Sequence, residues 1–152
     1  MRRSEKEISD GAELRRILEA ARVCRVAMVD GERPYLLPLS FALDGDDLVL
    51  HSAMEGRKLE ILRRNPSVCF EVEEGVEVAV GSTPCDTGMR FRTVIGFGEV
   101  EFVEDGAERA RLLTLFVPRY GPVGVPISEV VARRTVVMRV RVRELMGKRS
   151  PA

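Results

Sequence analysis

The sequence predicts a mainly β fold of the α+β kind: a small antiparallel barrel of six strands with short helices set between some of them. Three observations carry this. Six segments of strand length are rich in Val, Ile, Leu and Phe, and several alternate with period two. Asp30-Gly31 and Asp44-Gly45-Asp46 join consecutive segments through turns too short for a crossover, which makes those pairs antiparallel. Only residues 10–21, 55–64 and 106–116 carry a helical period.

Residues 10–21 form the first helix, because Leu14, Ile17, Leu18 and Ala21 recur at helical spacing and Asp10 precedes Glu13 as a capping box. The period then changes. Residues 23–29 form a strand that ends at the Asp30-Gly31 turn, and residues 35–43 form a second. Pro34 stands at the start of that second strand and Pro38 near its middle. Proline donates nothing to a ladder, so Pro38 marks an edge, a bulge or a gap in the pairing. Residues 48–52 follow as a third strand, and residues 55–64 as a helix that buries Leu59, Ile61 and Leu62 and stops before Asn65-Pro66.

Residues 68–72 are the fourth strand. Residues 74–88, rich in Gly, Ser, Thr and Pro, read as a loop, with residues 76–80 as an alternative extension of the strand. The longest strand covers residues 91–103 and holds Gly96 and Gly98, which mark a bend, a bulge or the close approach of another backbone or a ligand. Residues 106–116 are helical, 118–126 a proline- and glycine-rich loop, and 135–142 the last strand. With no repeat and no linker, residues 1–152 read as one domain. Strands such as Val26-Ala27-Met28-Val29 are apolar on nearly every residue and need cover on both faces. In so short a chain part of that cover is expected from a second copy, so a homodimer is predicted.

Composition excludes several classes. Hydrophobic residues make up 45% of the 152, enough for a core that buries roughly 70% of the unfolded surface. The 24 basic and 24 acidic residues cancel, which removes the bulk attraction on which non-specific nucleic-acid binding depends. No apolar run reaches the roughly 20 residues of a membrane helix. The opening Met-Arg-Arg-Ser-Glu-Lys-Glu is too charged for a signal peptide. Cys24, Cys69 and Cys85 form neither an even set nor a CxxC, so no disulfide framework or zinc knuckle is expected. The expectation is a cytoplasmic protein with no nucleic-acid, membrane or metal partner.

Charge placement says more than its sum. Residues 65–108 hold ten acidic residues against Arg90 and Arg92, while residues 133–149 hold seven basic residues against Glu144. Arg139, Arg141 and Arg143 alternate with Val140 and Val142, and Glu99 and Glu101 with Val100 and Phe102. The two segments therefore read as neighbours in one sheet, with opposite charges facing. The other reading, a basic tail for nucleic acid, lacks interleaved aromatic residues.

The chemistry concentrates in Leu48-Val49-Leu50-His51-Ser52-Ala53-Met54-Glu55-Gly56-Arg57-Lys58. A strand ends in polar residues, a glycine follows, and two cations open a helix. Free backbone N–H groups and the dipole make a helix start an anion site. Arg57 adds a planar fork and Lys58 a point charge, the complement of a phosphate monoester. Cations are disfavoured in a first turn, so their placement works best beside an anion; the other reading is that both are solvated. His51, the only histidine, is either structural or lines a pocket at its strand end. Cys85 reads as an ordinary loop thiol. Gly96-Phe97-Gly98 is not a dinucleotide fingerprint, since no helix follows it.

The order of Arg33-Pro34-Tyr35-Leu36-Leu37-Pro38-Leu39-Ser40-Phe41, then residues 51–58, then Asn65-Pro66-Ser67-Val68-Cys69-Phe70-Glu71-Val72 resembles the FMN-binding split-barrel superfamily. Arg92-Thr93-Val94-Ile95-Gly96-Phe97-Gly98 and Glu101-Phe102 extend the resemblance, which spans residues 17–143. Its nearest branch is the pyridoxamine-5′-phosphate-oxidase-like proteins that include the 5-nitroimidazole-resistance type. The resemblance implies a six-stranded split barrel and a homodimer with FMN at the subunit interface, FAD or haem being less favoured. Arg57 and Lys58 would hold the FMN phosphate with Ser52 as a further donor. Pro38, Leu39 and Ser40 would run beside the isoalloxazine, and Arg92 and Thr93 would lie near the ring or the ribityl chain. His51 matches the histidine linked to the redox site in the nitroimidazole-resistance type. The chain departs from true pyridoxamine-phosphate oxidases in having no tryptophan and in ending Glu144-Leu145-Met146-Gly147-Lys148-Arg149, so oxidation of vitamin B6 is not expected.

Three function classes follow. One is a flavin-dependent oxidoreductase that takes a hydride from NAD(P)H and reduces a small aromatic or nitro-aromatic acceptor, with the flavin doing the chemistry. The second is a non-catalytic FMN or haem binding protein, a carrier or sensor. The third is a dimeric interaction protein that has lost its cofactor.

Overall fold

The computed structural model of the chain describes residues 4–121, 127 and 129–150. A 3-10 turn at Ser4–Lys6 leads into β1 (Glu7–Ile8), α1 (Gly11–Ala20), β2 (Cys24–Asp30), β3 (Arg33–Leu39), β4 (Phe41–Asp44), β5 (Asp47–Ser52) and α2 (Arg57–Arg64). There follow β6 (Ser67–Ala79), β7 (Gly88–Phe102), α3 (Gly106–Thr114), α4 (Val117–Tyr120), α5 (Glu129–Arg133) and β8 (Val136–Arg149). All pairings are antiparallel, in the order β3-β2-β6-β7-β8-β5-β4, with β1 added along β8.

Topology forces this sheet to curl. β3 and β4 lie at opposite ends of the strand order, yet β3 ends at Leu39 and β4 begins at Phe41. One residue, Ser40, spans the seam, so the two edges must meet as the edges of a barrel. The expected second strand is therefore two strands, one on each edge. With the short β1, this makes eight strands among the described residues, where the sequence predicted six. Pro38 sits on an edge strand, opposite Arg25 on β2, where a missing donor is tolerated.

Inward-facing residues alternate as the pleat requires. Val26, Met28, Leu48, Leu50, Phe70, Val72, Val94, Met138 and Val140 fill the barrel. Leu14, Ile17 and Leu18 of α1 and Leu59, Ile61 and Leu62 of α2 join the same core. Asp10 caps α1 by accepting from the N–H groups of Ala12 and Glu13 at 3.4 and 3.1 Å. The reciprocal half of the box is replaced: Glu13 turns to Arg149. Gly96 faces inward, where a Cβ would stand 2.5 Å from Cε1 of the buried Phe70. The close approach inferred from its position is thus made by a neighbouring ring.

A second, smaller core lies on the outside of the barrel. Leu112, Leu113, Phe116 and Ala132 pack on Ala42, Val49 and Val137. Arg139 ties this layer down through Asp44 and Glu108, both at 2.7 Å. Glu99 pairs in register with Arg141 and Glu101 with Arg139, as the charge pattern predicted. The ion pairs step two residues along β8, to the next arginine on the same face: Arg141 meets Glu101 at 2.8 Å and Arg143 meets Glu99 at 3.3 Å.

The expected loop at 74–88 is shorter than predicted. β6 runs on to Ala79 and β7 begins at Gly88, so two strands project as a ribbon beyond the barrel. Between Glu74 and Glu77 the register slips by one residue, because β6 advances three positions while β7 advances two. The slip turns Val76, Val78 and Val80 to the side that carries Met89, all four largely exposed. β8 also outruns its expected end, reaching Arg149 past a bulge opposite Phe97/Gly98. In the expected loop at 118–126, Val117–Tyr120 is a helical turn, and residues 122–126 lie outside the described residues. Among the described residues no helix is long and apolar enough to cross a membrane.

Candidate functional site

The seam brings Ser40 to His51. Ser40 leaves the ladder between β3 and β4, and its Oγ lies 3.3 Å from His51 Nε2 on β5. His51 alternates with the inward residues Leu50 and Ser52, so its ring faces out of the barrel and is covered by Phe116, edge to face at 4.6 Å. Burial, and second the positive charge of Lys58, hold the imidazole below its ordinary value of 6.5. The ring is neutral at physiological pH, with one nitrogen able to donate and the other to accept.

α4 braces the seam from outside. The Tyr120 hydroxyl accepts from the N–H of Phe41 at 3.1 Å and shares its hydrogen between the carbonyls of Phe41 and Arg22. Arg119 donates to the carbonyls of Leu18, Glu19 and Ala21 at the end of α1, and its guanidinium lies 4.6 Å from the centre of the Phe41 ring. Sequence reading missed both residues; an Arg-Tyr pair inside a proline- and glycine-rich stretch gives no periodic signal.

The start of α2 is open to an anion. Gly56, at φ +138°, precedes the helix and no side chain caps it. Lys58 is half-buried, and among the described residues no carboxylate pairs with it. Arg57 turns to the end of β2, where Nε and Nη2 donate to Asp30 Oδ2 at 3.1 and 2.8 Å, and its guanidinium lies 5.2 Å from the centre of the Tyr35 ring. Ser52 Oγ is buried and has no hydrogen-bond partner. An unpaired buried hydroxyl costs about 1–3 kcal/mol, so it is a donor in need of an acceptor. An uncapped helix start, an unpaired ammonium, a guanidinium with donors to spare and an orphan hydroxyl together fit a phosphate group.

The remaining predicted residues fall elsewhere on the sheet. Pro38 is exposed on the outer face of β3, whereas Leu39 packs partly inward against the core. Thr93 stands on β7, three strands from β3 in the strand order, and its Oγ contacts Glu71 Oε1 at 2.6 Å and the Val72 carbonyl at 2.9 Å. Arg92 reaches Glu74 at 3.8 Å. The chain thus gathers Ser40, His51 and Lys58 at the seam, sets Arg57 against Asp30, and holds Arg92 and Thr93 across the sheet. Among the described residues no group of three or more His, Cys, Asp or Glu side chains is placed to hold a metal ion.

A curled antiparallel sheet whose edge strands meet at one residue is a split barrel of the pyridoxamine-5′-phosphate-oxidase-like class. A model of the pyridoxamine 5′-phosphate oxidase family matches residues 10–149, and the chain belongs to that family. Among solved structures it is similar to a candidate 5-nitroimidazole antibiotic resistance protein from Bacteroides thetaiotaomicron. The identity is 32%, the TM-score 0.83, and the match covers 93% of this chain and 85% of that one. It shares its fold with the flavocytochrome Anf3 of Azotobacter vinelandii, at 22% identity and TM-score 0.84, over 97% of this chain and 71% of that one. A FAD and heme binding protein of Mycobacterium smegmatis matches at 21% identity and TM-score 0.85, over 97% and 74%. Among curated proteins there is no match.

Proposed function

We propose that the chain is a homodimeric flavoprotein that binds FMN at the start of α2 and serves as an NAD(P)H-linked reductase of a small aromatic or nitro-aromatic acceptor. The observation that carries this reading is the uncapped start of α2, opened by Arg57 and Lys58 and preceded on β5 by the orphan hydroxyl of Ser52. The similarity to the Bacteroides protein, which bears a nitroimidazole-resistance description, supports the acceptor class. A bound flavin supplies the hydride and electron transfer. The chain's own residues do the rest. Arg57, Lys58 and Ser52 hold the phosphate dianion, and Pro38, with no N–H, presents a flat, donor-free edge beside Ser40. His51, kept neutral, gives or takes a proton at Nε2, and Ser40 fixes the direction in which that nitrogen points.

A second copy completes the fold's outer face. Leu36, Ala27, Cys69 and Phe97 lie in one row across β3, β2, β6 and β7, and Leu36 and Phe97 are largely exposed. The ribbon valines and Met89 extend that face. The chain exposes 9299 Å², about 1,600 Å² more than the roughly 7,700 Å² of a compact 17.0 kDa monomer, an amount one subunit of a stable homodimer buries. A cytoplasmic setting accords with three free thiols.

The test is spectroscopic. Purified protein should carry, or take up, FMN with a flavin spectrum that bleaches anaerobically on NADH or NADPH and recovers on a 5-nitroimidazole. Arg57→Ala with Lys58→Ala should lose FMN while keeping its circular dichroism. A colourless protein that takes up no FMN refutes the reading. A Soret band on haem addition that disappears in His51→Ala moves it to the haem class.

A further inference from the structure

Asp30 closes β2 and, among the described residues, is the carboxylate that hydrogen-bonds Arg57 at the start of α2. Its Oδ2 accepts from Nε and Nη2 of Arg57, and its Oδ1 from Nη2 of Arg64, at 2.8 Å, one helix length further along α2. The carboxylate is thereby held at both oxygens and lies below its ordinary pKa through Arg57. A guanidinium has five N–H donors arranged on two forks. Asp30 takes the side fork, Nε with one Nη2 hydrogen. The end-on fork, formed by Nη1 and the second Nη2 hydrogen, has no partner among the described residues, and Tyr35 lies against the group at 5.2 Å.

We infer that Asp30 is a positioning residue of the phosphate site: by engaging the side fork of Arg57 it fixes the guanidinium so that the end-on fork is free for the phosphate. This rests on the reading of the α2 start as the FMN phosphate site. A flexible arginine would have to be ordered when the phosphate binds, and Asp30 and Arg64 carry out that ordering beforehand.

The opposite role for the same contact makes the inference testable. Were Asp30 a competitor, or only a nearby negative charge, its removal would strengthen FMN binding, because the site becomes more positive. Positioning predicts the reverse sign. Full-length protein stripped of flavin is titrated with FMN and with riboflavin, which lacks the phosphate, following flavin fluorescence. Asp30→Ala is expected to weaken FMN about five- to tenfold and leave riboflavin unchanged. Equal or tighter FMN binding overturns the inference, and so does an equal loss for riboflavin, which would mean a general structural role. Arg57→Ala separates the two readings. If it keeps the wild-type preference for FMN over riboflavin, the phosphate site itself is misplaced and Asp30 falls with it. If it loses that preference while Asp30→Ala retains it, only the role of Asp30 is refuted.

Discussion

The hydroxyl of Tyr120 clamps the backbone of Phe41, accepting its N–H at 3.1 Å and lying 3.0 Å from its carbonyl. Phe41 is the first residue after the seam, so one phenol on α4 sets where β4 starts and, through the peptide link, where Ser40 stands against His51. Tyr120→Phe leaves the N–H of the buried Phe41 without that acceptor. We expect a loss of about 1–2 kcal/mol in denaturant unfolding. The His51 ring resonances should broaden or shift with it; unchanged spectra would show that the clamp does not reach the seam.

Gly96 should tolerate no side chain while Phe70 is present. A Cβ there would collide with a ring that is 1% exposed and walled in by the barrel core. Gly96→Ala is expected to cost about 2–3 kcal/mol from overpacking. Phe70→Leu in the Gly96→Ala background should recover part of that loss. Additive effects in the double-mutant cycle would argue against direct contact.

His51 gives stability a pH dependence of known sign. Its folded pKa lies below 6.5, so between the two values the unfolded chain binds more protons than the folded one. Its contribution is complete above 6.5 and declines as pH falls from there toward the lowered folded value, below which it is flat. Urea unfolding between about pH 5 and 8 should show this slope, and His51→Gln should flatten it. An anion bound beside Lys58 offsets the charge that helps depress the imidazole, so saturating FMN should move the His51 titration upward.

The three thiols should react in order of exposure. Cys24 is buried and its thiol is pushed up to about 12, chiefly by burial; Cys69 is half-buried and raised for the same reason; Cys85 is exposed. Alkylation of the native protein followed by mass spectrometry should label Cys85 first and Cys24 only on unfolding. Early labelling of Cys24 would mean that β2 opens readily.

How much of this was legible in the sequence follows from where the signal is local. The interior strands and both core helices were readable, since Val26, Leu50, Val94 and Leu59 sit in unbroken periodic patterns. The glutamate and arginine stripes even predicted that β7 and β8 are neighbours. The break at Ser40 was not readable, because β3 and β4 are apolar on both sides of it and only the sheet's closure separates them. The end of β8 was hidden by Arg143, Glu144, Gly147 and Lys148, which interrupt the alternation of a strand whose pairing with β7 is long-range. At the site, the Arg57-Lys58 pair and His51 stood out by residue type and position. Asp30, Arg119 and Tyr120 did not, since each acts on residues at least 27 positions away.

Ribbon and outer sheet should act as one surface in self-association. Val78→Glu with Met89→Glu places two charges on its far end, and we expect the dimer dissociation constant to rise about 100-fold, read by sedimentation, with the unfolding curve of the monomer little changed. A variant that dimerises like the wild type would move the contact elsewhere.

The slip between Glu74 and Glu77 makes residue count the sensitive variable at the base of the ribbon. Removing one residue there would take out the extra residue and restore a regular ladder, leaving Glu77 opposite Arg90 and Val78 opposite Met89. A single-codon deletion should therefore be absorbed at this spot, whereas a second has no spare residue to draw on and should invert the polarity of everything beyond it.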